Sequence, residues 1–273
     1  MKTKLVYVLV SDLSGFYYEM LQMSLYSFRI YHPKDTVELV MDDDTFNRLE
    51  DIHADVLRDV IPVVVPIPSD YSIMQRSRYL KTNLRHIIKG DFLFIDTDTI
   101  ICSSLEELDN MDFNVAMVAD CNKPLPLTDP GNIELNRSAG FLDSKNLPYF
   151  NSGVVYVKDS PLAYCLFDEW HSMWKLSAQN GVSKDQPALC QANKNLNFPI
   201  QELSGIWNWQ MWDNSLYYIF HTKVLHYYTA HEWKDFFWKR VNDNKKIDFY
   251  TKMLLRHPRL FSFMLYCKRR VLK

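Results

Sequence analysis

Glycine is scarce in this chain, 7 of 273 residues, and nowhere does it gather with serine into a flexible linker. The composition therefore gives no sign of loosely tethered units. Long apolar runs are missing too, since no stretch approaches the roughly 20 residues of a membrane-spanning helix. After Met1-Lys2-Thr3-Lys4 the run from Leu5 to Val10 stops after six residues at Ser11-Asp12. That is too short for the core of a signal peptide and reads as a first β-strand. Five cysteines, at 102, 121, 165, 190 and 267, show neither paired spacing nor a Cys-x-x-Cys. A disulfide framework is excluded, and a reduced, cytoplasmic compartment is expected. No repeat or low-complexity segment is present. What remains, 47% apolar and 23% charged, is ordinary for a globular protein able to bury a large core.

The formal charge of −2 hides an asymmetry, because residues 231–273 carry 12 Lys/Arg against 4 Asp/Glu and residues 1–230 carry 19 against 29. We expect a body over 1–230 and a basic, aromatic C-terminal tail over 231–273. Lys239-Arg240, Lys245-Lys246 and Lys268-Arg269-Arg270 alternate with aromatics, and Leu260–Tyr266 is apolar. Those residues suit a helix lying on an anionic membrane surface, hence peripheral attachment at the inner face of the cell membrane. A C-terminal helix packed on the body with a solvated basic edge fits them as well. Nucleic acid is not expected, since the body is acidic and no binding motif accompanies the tail.

Hydrophobic periodicity alternates between strand and helix. Strands are expected at Leu5–Val10, Val37–Met41, Ile61–Val65, Phe92–Ile95, Val115–Ala119, Asn151–Val157 and Val224–Tyr228. Helices are expected at Phe16–Tyr31, Thr45–Leu57, Ser72–Ile88, Pro161–Lys175 and Lys184–Lys194. This order predicts an α/β fold with a mostly parallel central sheet flanked by helices. Residues 120–148, with four prolines and two glycines, read as a long loop, and loops of that length are usually functional. The aromatics over 205–220, Trp207 and Trp209 among them, read as core sooner than as a sugar platform.

The most informative segment is Phe92-Leu-Phe-Ile-Asp96-Thr97-Asp98-Thr99. Its apolar run suits a strand covered on both faces, and open α/β sheets bind ligands beyond the carboxyl ends of such strands. Side chains two apart point the same way, so Asp96 and Asp98 can converge on one hard cation. Capping of a following turn is the plain alternative.

Farther along stand Tyr149-Phe150-Asn151-Ser152-Gly153-Val154, then Asp185-Gln186, then Val224-Leu225-His226-Tyr227-Tyr228. Asp-x-Asp followed by these landmarks in this order resembles glycosyltransferase family 8, with its GT-A fold, over roughly residues 5–234. Single motifs of this kind are weak and four in order are strong. The resemblance implies a retaining transferase that moves a hexose, glucose or galactose, from a UDP-sugar to a saccharide or lipid-linked saccharide acceptor, in surface polysaccharide or lipo-oligosaccharide synthesis. It makes Asp96, Asp98 and His226 ligands of Mn²⁺, or Mg²⁺, with Asp96 also near the ribose. Asn151 and Asp185 would hold sugar hydroxyls, and Gln186 would sit at the reacting face. Taken alone, His226 fits a core histidine and Gln186 a surface helix equally well.

The nucleotide end is expected at Ser11-Asp12-Leu13, with Tyr17 stacking on the base and Thr97 between the metal carboxylates. Arg78 and Lys81 are candidates for the diphosphate or for orienting Asp96, and also fit a solvated face. Asp120 and Arg137 are expected to shape the donor pocket. The chain departs from the family where Thr229 and Glu232 replace the glycine and lysine after the metal histidine; His231 or Lys234 would have to substitute. Two other readings compete. Asp96-x-Asp98-x-Thr also fits haloacid-dehalogenase-like phosphatases with Asp96 as nucleophile, although there the motif opens the domain. A nucleotide-sugar-binding module without turnover is the other.

Overall fold

The computed structural model describes the chain except residues 14–15, 69, 127–128, 143–144, 211–215, 228–248, 261–262, 264–266 and 268–273. Its centre is a seven-stranded sheet. In chain order the strands and helices are β1 (Lys4–Leu9), α1 (Tyr17–Tyr31), β2 (Val37–Met41), α2 (Asp43–Leu57), β3 (Ile61–Val64), α3 (Ile73–Thr82), α4 (Leu84–Ile87), β4 (Phe92–Ile95), β5 (Thr99–Ile101), β6 (Val115–Ala119) and α5 (Pro130–Ser138). There follow β7 (Phe150–Val157), α6 (Pro161–Gln179), α7 (Gln186–Asn195), β8 (Gln201–Glu202), α8 (Leu216–His221), β9 (Val224–His226) and α9 (Phe249–Arg256). The sheet order is β3-β2-β1-β4-β7-β6-β8, and β7 alone runs against its neighbours. The expected mostly parallel sheet is present.

Side chains alternate across the strands into two cores. Leu5, Tyr7 and Leu9 of β1 join Leu93 and Ile95 of β4 beneath Tyr18, Leu21, Leu25 and Phe28 of α1. On the other face Val6, Phe92 and Phe94 meet Leu80 of α3 and Leu166, Phe167 and Trp170 of α6. This period of two explains why β4 is buried at every residue: one face serves each core. Each fully buried side chain of this size contributes about 1.5–3 kcal/mol before entropy is counted. Helix starts follow local chemistry, as where Asp42 Oδ1 accepts from Thr45 N at 2.9 Å and Ser72 and Gln75 form a reciprocal cap.

Three expectations are corrected. The helix expected over Ser72–Ile88 ends at Thr82 and resumes at Leu84, because Asn83 leaves helical geometry and its side chain donates to Tyr79 O instead. Residues 120–148 are not an open loop, since Asp129 caps α5 with Pro130 at its first position. The strand at β9 is shorter than Val224–Tyr228 and lies outside the main sheet, paired antiparallel with β5. Three residues of β5 and two of β8 were too short to show a period. Trp207 and Trp209 are buried, as core residues. Leu255 of α9 is buried with Met20, Met23, Ile219 and Leu225, so part of the C-terminal segment packs against α1. The tail's three basic clusters all lie outside the described residues.

Candidate active site

A cleft of about 560 Å³ opens where β1 and β4 end. Its wall is built largely of polar side chains, and their convergence follows from strand register. Ile95 pairs with Val154, and Asp96 N donates to Gly153 O at 2.8 Å. The first residues of the reversed strand β7, Asn151-Ser152-Gly153, therefore lie beside the end of β4.

Asp96 and Asp98 occupy the turn between β4 and β5. Thr99 Oγ1 donates to Asp96 O at 2.9 Å and contacts Ser24 Oγ at 2.9 Å, which tethers the turn to α1. Thr99 pairs with His226 in the β5–β9 ladder, and this register carries the imidazole to Asp98. His226 Nε2 lies 3.2 Å from Asp98 Oδ1. One ligand atom each from Asp96, Asp98 and His226 falls within 4.8 Å of the others. Burial disfavours both charges of the close pair, yet their mutual attraction prevails: His226 is raised and Asp98 lowered from their ordinary pKa values.

The same wall carries a buried ion network. Lys81 Nζ donates to both carboxylate oxygens of Asp96, at 3.2 and 3.4 Å, and lies 3.3 Å from Asp185 Oδ2. Arg78 Nε is 3.0 Å from Asp185 Oδ1, and Ser152 Oγ donates to Oδ2 at 2.7 Å. Burial alone would raise Asp185, but Lys81, Arg78 and Ser152 hold its pKa far below the usual carboxylate range. Trp170 Nε1 donates to Asp185 O at 3.0 Å and anchors the start of α7 to α6. Arg78 and Lys81 thus line the cleft and pair with its carboxylates instead of forming a solvated helix face.

A chain of amides lies deeper. Gln186 Nε2 donates to Asp120 Oδ1 at 3.2 Å and to Phe150 O at 3.3 Å, which leaves Oε1 as the polar atom Gln186 offers to the cleft it lines. Asn151 Nδ2 donates to the same Asp120 Oδ1 at 3.2 Å. Asn208 Nδ2 donates to Asn151 Oδ1 at 2.9 Å, and Asn208 Oδ1 lies 3.1 Å from His226 Nδ1. Gly153 is required here for space, not for backbone freedom. A Cβ on it would stand 2.2 Å from His226 Cε1.

The sequence pattern of glycosyl transferase family 8 matches residues 44–236. The chain belongs to glycosyltransferase family 8. It is a glycosyltransferase, and the phosphatase reading of Asp96 falls with that assignment. No curated protein matches it in sequence. Among solved structures, the glycosyltransferase GlyE of Streptococcus pneumoniae TIGR4 is similar with a TM-score of 0.58 at 14% identity, over 94% of this chain and 63% of GlyE. Mouse xyloside xylosyltransferase 1 is similar at 0.56 and 14%, over 84% of this chain and 98% of that one. The galactosyltransferase LgtC, solved with donor and acceptor sugar analogues, is similar at 0.54 and 14%, over 84% and 88%. At such identities the likeness carries the fold, which is GT-A.

For a family 8 enzyme the expected residues fall in two groups. Tyr17, Arg78, Lys81, Asp96, Thr97, Asp98, Asn151, Asp185, Gln186 and His226 all line the cleft. Asp12 does not; it is exposed, and the wall near the end of β1 is made by Val8, Leu9 and Val10. Asp120 reaches Asn151 and Gln186 as expected of a pocket residue, whereas Arg137 is exposed and paired with Glu134 at 2.9 Å. Thr229, His231, Glu232 and Lys234 lie outside the described residues. Asn208 and Ser152 escaped the sequence reading; Ser152 stood inside a quoted motif, while Asn208 carried no signal beyond its aromatic neighbours. Among the described residues no helix is long and apolar enough to cross a membrane.

Proposed function

We propose that this glycosyltransferase moves a hexose, glucose or galactose, from a UDP-sugar to a saccharide acceptor with retention of anomeric configuration, and that it depends on a divalent metal. The observation that carries the reading is the convergence of Asp96, Asp98 and His226 within 4.8 Å on the wall of the cleft. Asp96, Asp98 and His226 would hold the ion, since one oxygen or nitrogen donor from each lies within 4.8 Å of the others and such donors suit a hard divalent cation. Two carboxylates and an imidazole suit Mn²⁺, with Mg²⁺ the alternative. Asn208 Oδ1 at Nδ1 of His226 supports the fit, because an acceptor there leaves Nε2 for ligation. Lys81 already contacts both oxygens of Asp96, so an ion would share that carboxylate.

When bound, the metal supplies Lewis-acid stabilisation to the diphosphate leaving group. The protein's own residues do the rest. Lys81 brings a buried positive charge next to Asp96 and Asp185, where negative charge would grow on the departing phosphate. Asp185, held ionised against burial by Lys81 and Arg78, would accept from sugar hydroxyls, and Asn151 would bond to them as well. Gln186 offers its amide oxygen, a poor nucleophile but a dipole suited to positive charge at the anomeric carbon. Tyr17, beside Ile73 and Met74, gives an apolar wall for uracil. Thr97 is buried between the two metal carboxylates.

A lipid-linked acceptor in surface polysaccharide or lipo-oligosaccharide synthesis is the finer reading. What supports it is the C-terminal segment, where Phe249, Leu260 and Phe263 are exposed and the sequence between and around them carries the basic clusters. The test of the main proposal is UDP release from UDP-glucose and UDP-galactose by the purified protein, with Mn²⁺, Mg²⁺ or EDTA. Metal-dependent release, with sugar freed first in the donor's anomeric form by NMR, is expected. Equal turnover in EDTA, or inverted product, would sink it.

A further inference from the structure

The amides between the metal wall and the sugar wall form a directed chain. Its direction is set at Asp120, whose carboxylate offers only acceptors. Both amides that reach Oδ1, Asn151 and Gln186, must therefore present nitrogen to it. Asn151 is then left with its oxygen toward Gly153 N, at 3.0 Å, and toward Asn208 Nδ2. Asn208 in turn is left with its oxygen toward His226 Nδ1. Each step fixes the next, and the result is an imidazole that carries its hydrogen at Nδ1 and turns Nε2 to Asp98.

Asn208 is fully buried and cannot exchange these partners for water. Its backbone is also held: Asn122 Nδ2 donates to Asn208 O at 2.9 Å, and Trp209 pairs with Leu225 beside it. Trp209 N donates to Val224 O and His226 N to Trp209 O, each at 2.9 Å, so Asn208 and His226 are fixed side by side.

We propose that Asn208 is a positioning residue with two separable duties. Through Oδ1 it orients the metal-side imidazole of His226, and through Nδ2 it orients Asn151 toward the donor sugar. The proposal rests on the reading of Asp96, Asp98 and His226 as a metal site for a UDP-sugar enzyme. Metal-ligand histidines usually have such a partner on the other ring nitrogen, and its loss costs about 10- to 100-fold in metal affinity or activity.

Two substitutions separate the duties. Asn208→Leu removes both contacts, whereas Asn208→Asp keeps an acceptor for His226 and loses the donor to Asn151. Mn²⁺ affinity in the presence of UDP, read from the electron paramagnetic resonance of the free ion, reports the first duty. UDP-sugar turnover at saturating Mn²⁺ reports the second. Asn208→Leu is expected to weaken Mn²⁺ about 10- to 100-fold. Asn208→Asp should stay within about threefold of wild type for Mn²⁺ while losing at least about tenfold in kcat/KM for the UDP-sugar. Wild-type Mn²⁺ affinity in Asn208→Leu, or equal loss of Mn²⁺ by both variants, overturns the proposal. A wild-type protein that takes up no Mn²⁺ with UDP, with His226→Ala as the zero reference, overturns the metal-site reading itself and is seen before any Asn208 variant is compared.

Discussion

Gly153→Ala is the sharpest steric test of the site. The added Cβ would stand 2.2 Å from His226 Cε1, 2.8 Å from its Nδ1 and 2.9 Å from Asn151 Oδ1. Non-bonded carbons rest about 3.5–4.0 Å apart, so the ring must retreat by about 1.3 Å or more. The obstacle is a ring held by β9, Asn208 and Asp98, not the tip of a flexible chain. Metal–ligand distances hold to about ±0.2 Å, so such a retreat removes His226 from an ion bound by Asp96 and Asp98. The loss of Mn²⁺ affinity should be at least the roughly 10- to 100-fold seen when only an outer partner is removed. Overpacking adds about 1–3 kcal/mol of instability, which at about 2–4 °C per kcal/mol is a visible fall in Tm. Gly140→Ala is the control: it meets Asn180 Nδ2 at 2.5 Å and a φ of +94°, outside the cleft lining. Free-Mn²⁺ titration with UDP, UDP release and thermal melting decide the matter. Gly153→Ala with wild-type Mn²⁺ affinity would refute the placement of His226, and an equal fall in Gly140→Ala would reduce the effect to general instability.

Asp98→Asn preserves volume and removes a charge, so metal-dependent UDP release should fall at least about 100-fold; an unchanged rate counts against Asp98 as a ligand. Gln186→Ala deletes the amide oxygen offered to the cleft, and should lower UDP-sugar turnover about 10-fold or more without altering the affinity for UDP with Mn²⁺, both read by calorimetry and UDP release. Lys81→Met leaves Asp96 and buried Asp185 short of a partner and should cost about 3–5 kcal/mol in urea unfolding. His171 gives a pH signature. Burial first, and then Lys175 and His86, lower its pKa from 6.5 to about 4, where it meets Tyr79 edge-on and lies tilted against Trp174. The neutral ring's stabilisation is complete above pH 6.5 and is lost as pH falls toward 4. The full shift would be about 3 kcal/mol, and the ring's open edge reduces it to on the order of 1–2 kcal/mol. His171→Gln should flatten stability across that window, and an unchanged slope by urea unfolding rules His171 out as its source.

What could be read in the sequence was whatever depended on a long period or on residues close in the chain. The strands β1, β2, β4 and β6 were legible because their runs are buried on both faces, and Asp96 and Asp98 because one strand end carries both. Pairing of β5 with β9 was not legible, since three residues hold no period and 123 to 127 residues separate the partners; this ladder is what brings His226 to Asp98. Capping chemistry for α5 was present at Asp129-Pro130 but lay hidden among prolines that read as loop. For Lys81 and Arg78 a place at the diphosphate and a solvated face both stayed open, because Asp185, the partner that distinguishes them, stands at the start of α7, about a hundred residues away in the chain. Asn208 had only its amide to offer, and an amide acquires meaning from partners that topology supplies.

One reversal in the sheet explains how residues so scattered meet. In a wholly parallel arrangement the start of β7 would enter at the far edge, and an eight-residue strand spans about 26 Å. Because β7 runs backward, Asn151 pairs with Val118 at the end of β6, and Asp120 follows directly. The segment from 120 to 149 is then a long hairpin connection that begins and ends at the mouth of the cleft, which is why its length serves the pocket and not the core. At its other end β7 leaves at Val157, away from the cleft, and α6 must carry the chain back. Nineteen residues of helix rise about 28 Å, nearly the span of the strand they retrace. The return therefore delivers Asp185 and Gln186, at the start of α7, to the same edge where Asp96 leaves β4, and Trp170 of the returning helix holds Asp185 O in place. Strand direction and helix length thus position the polar wall before any side-chain contact is made.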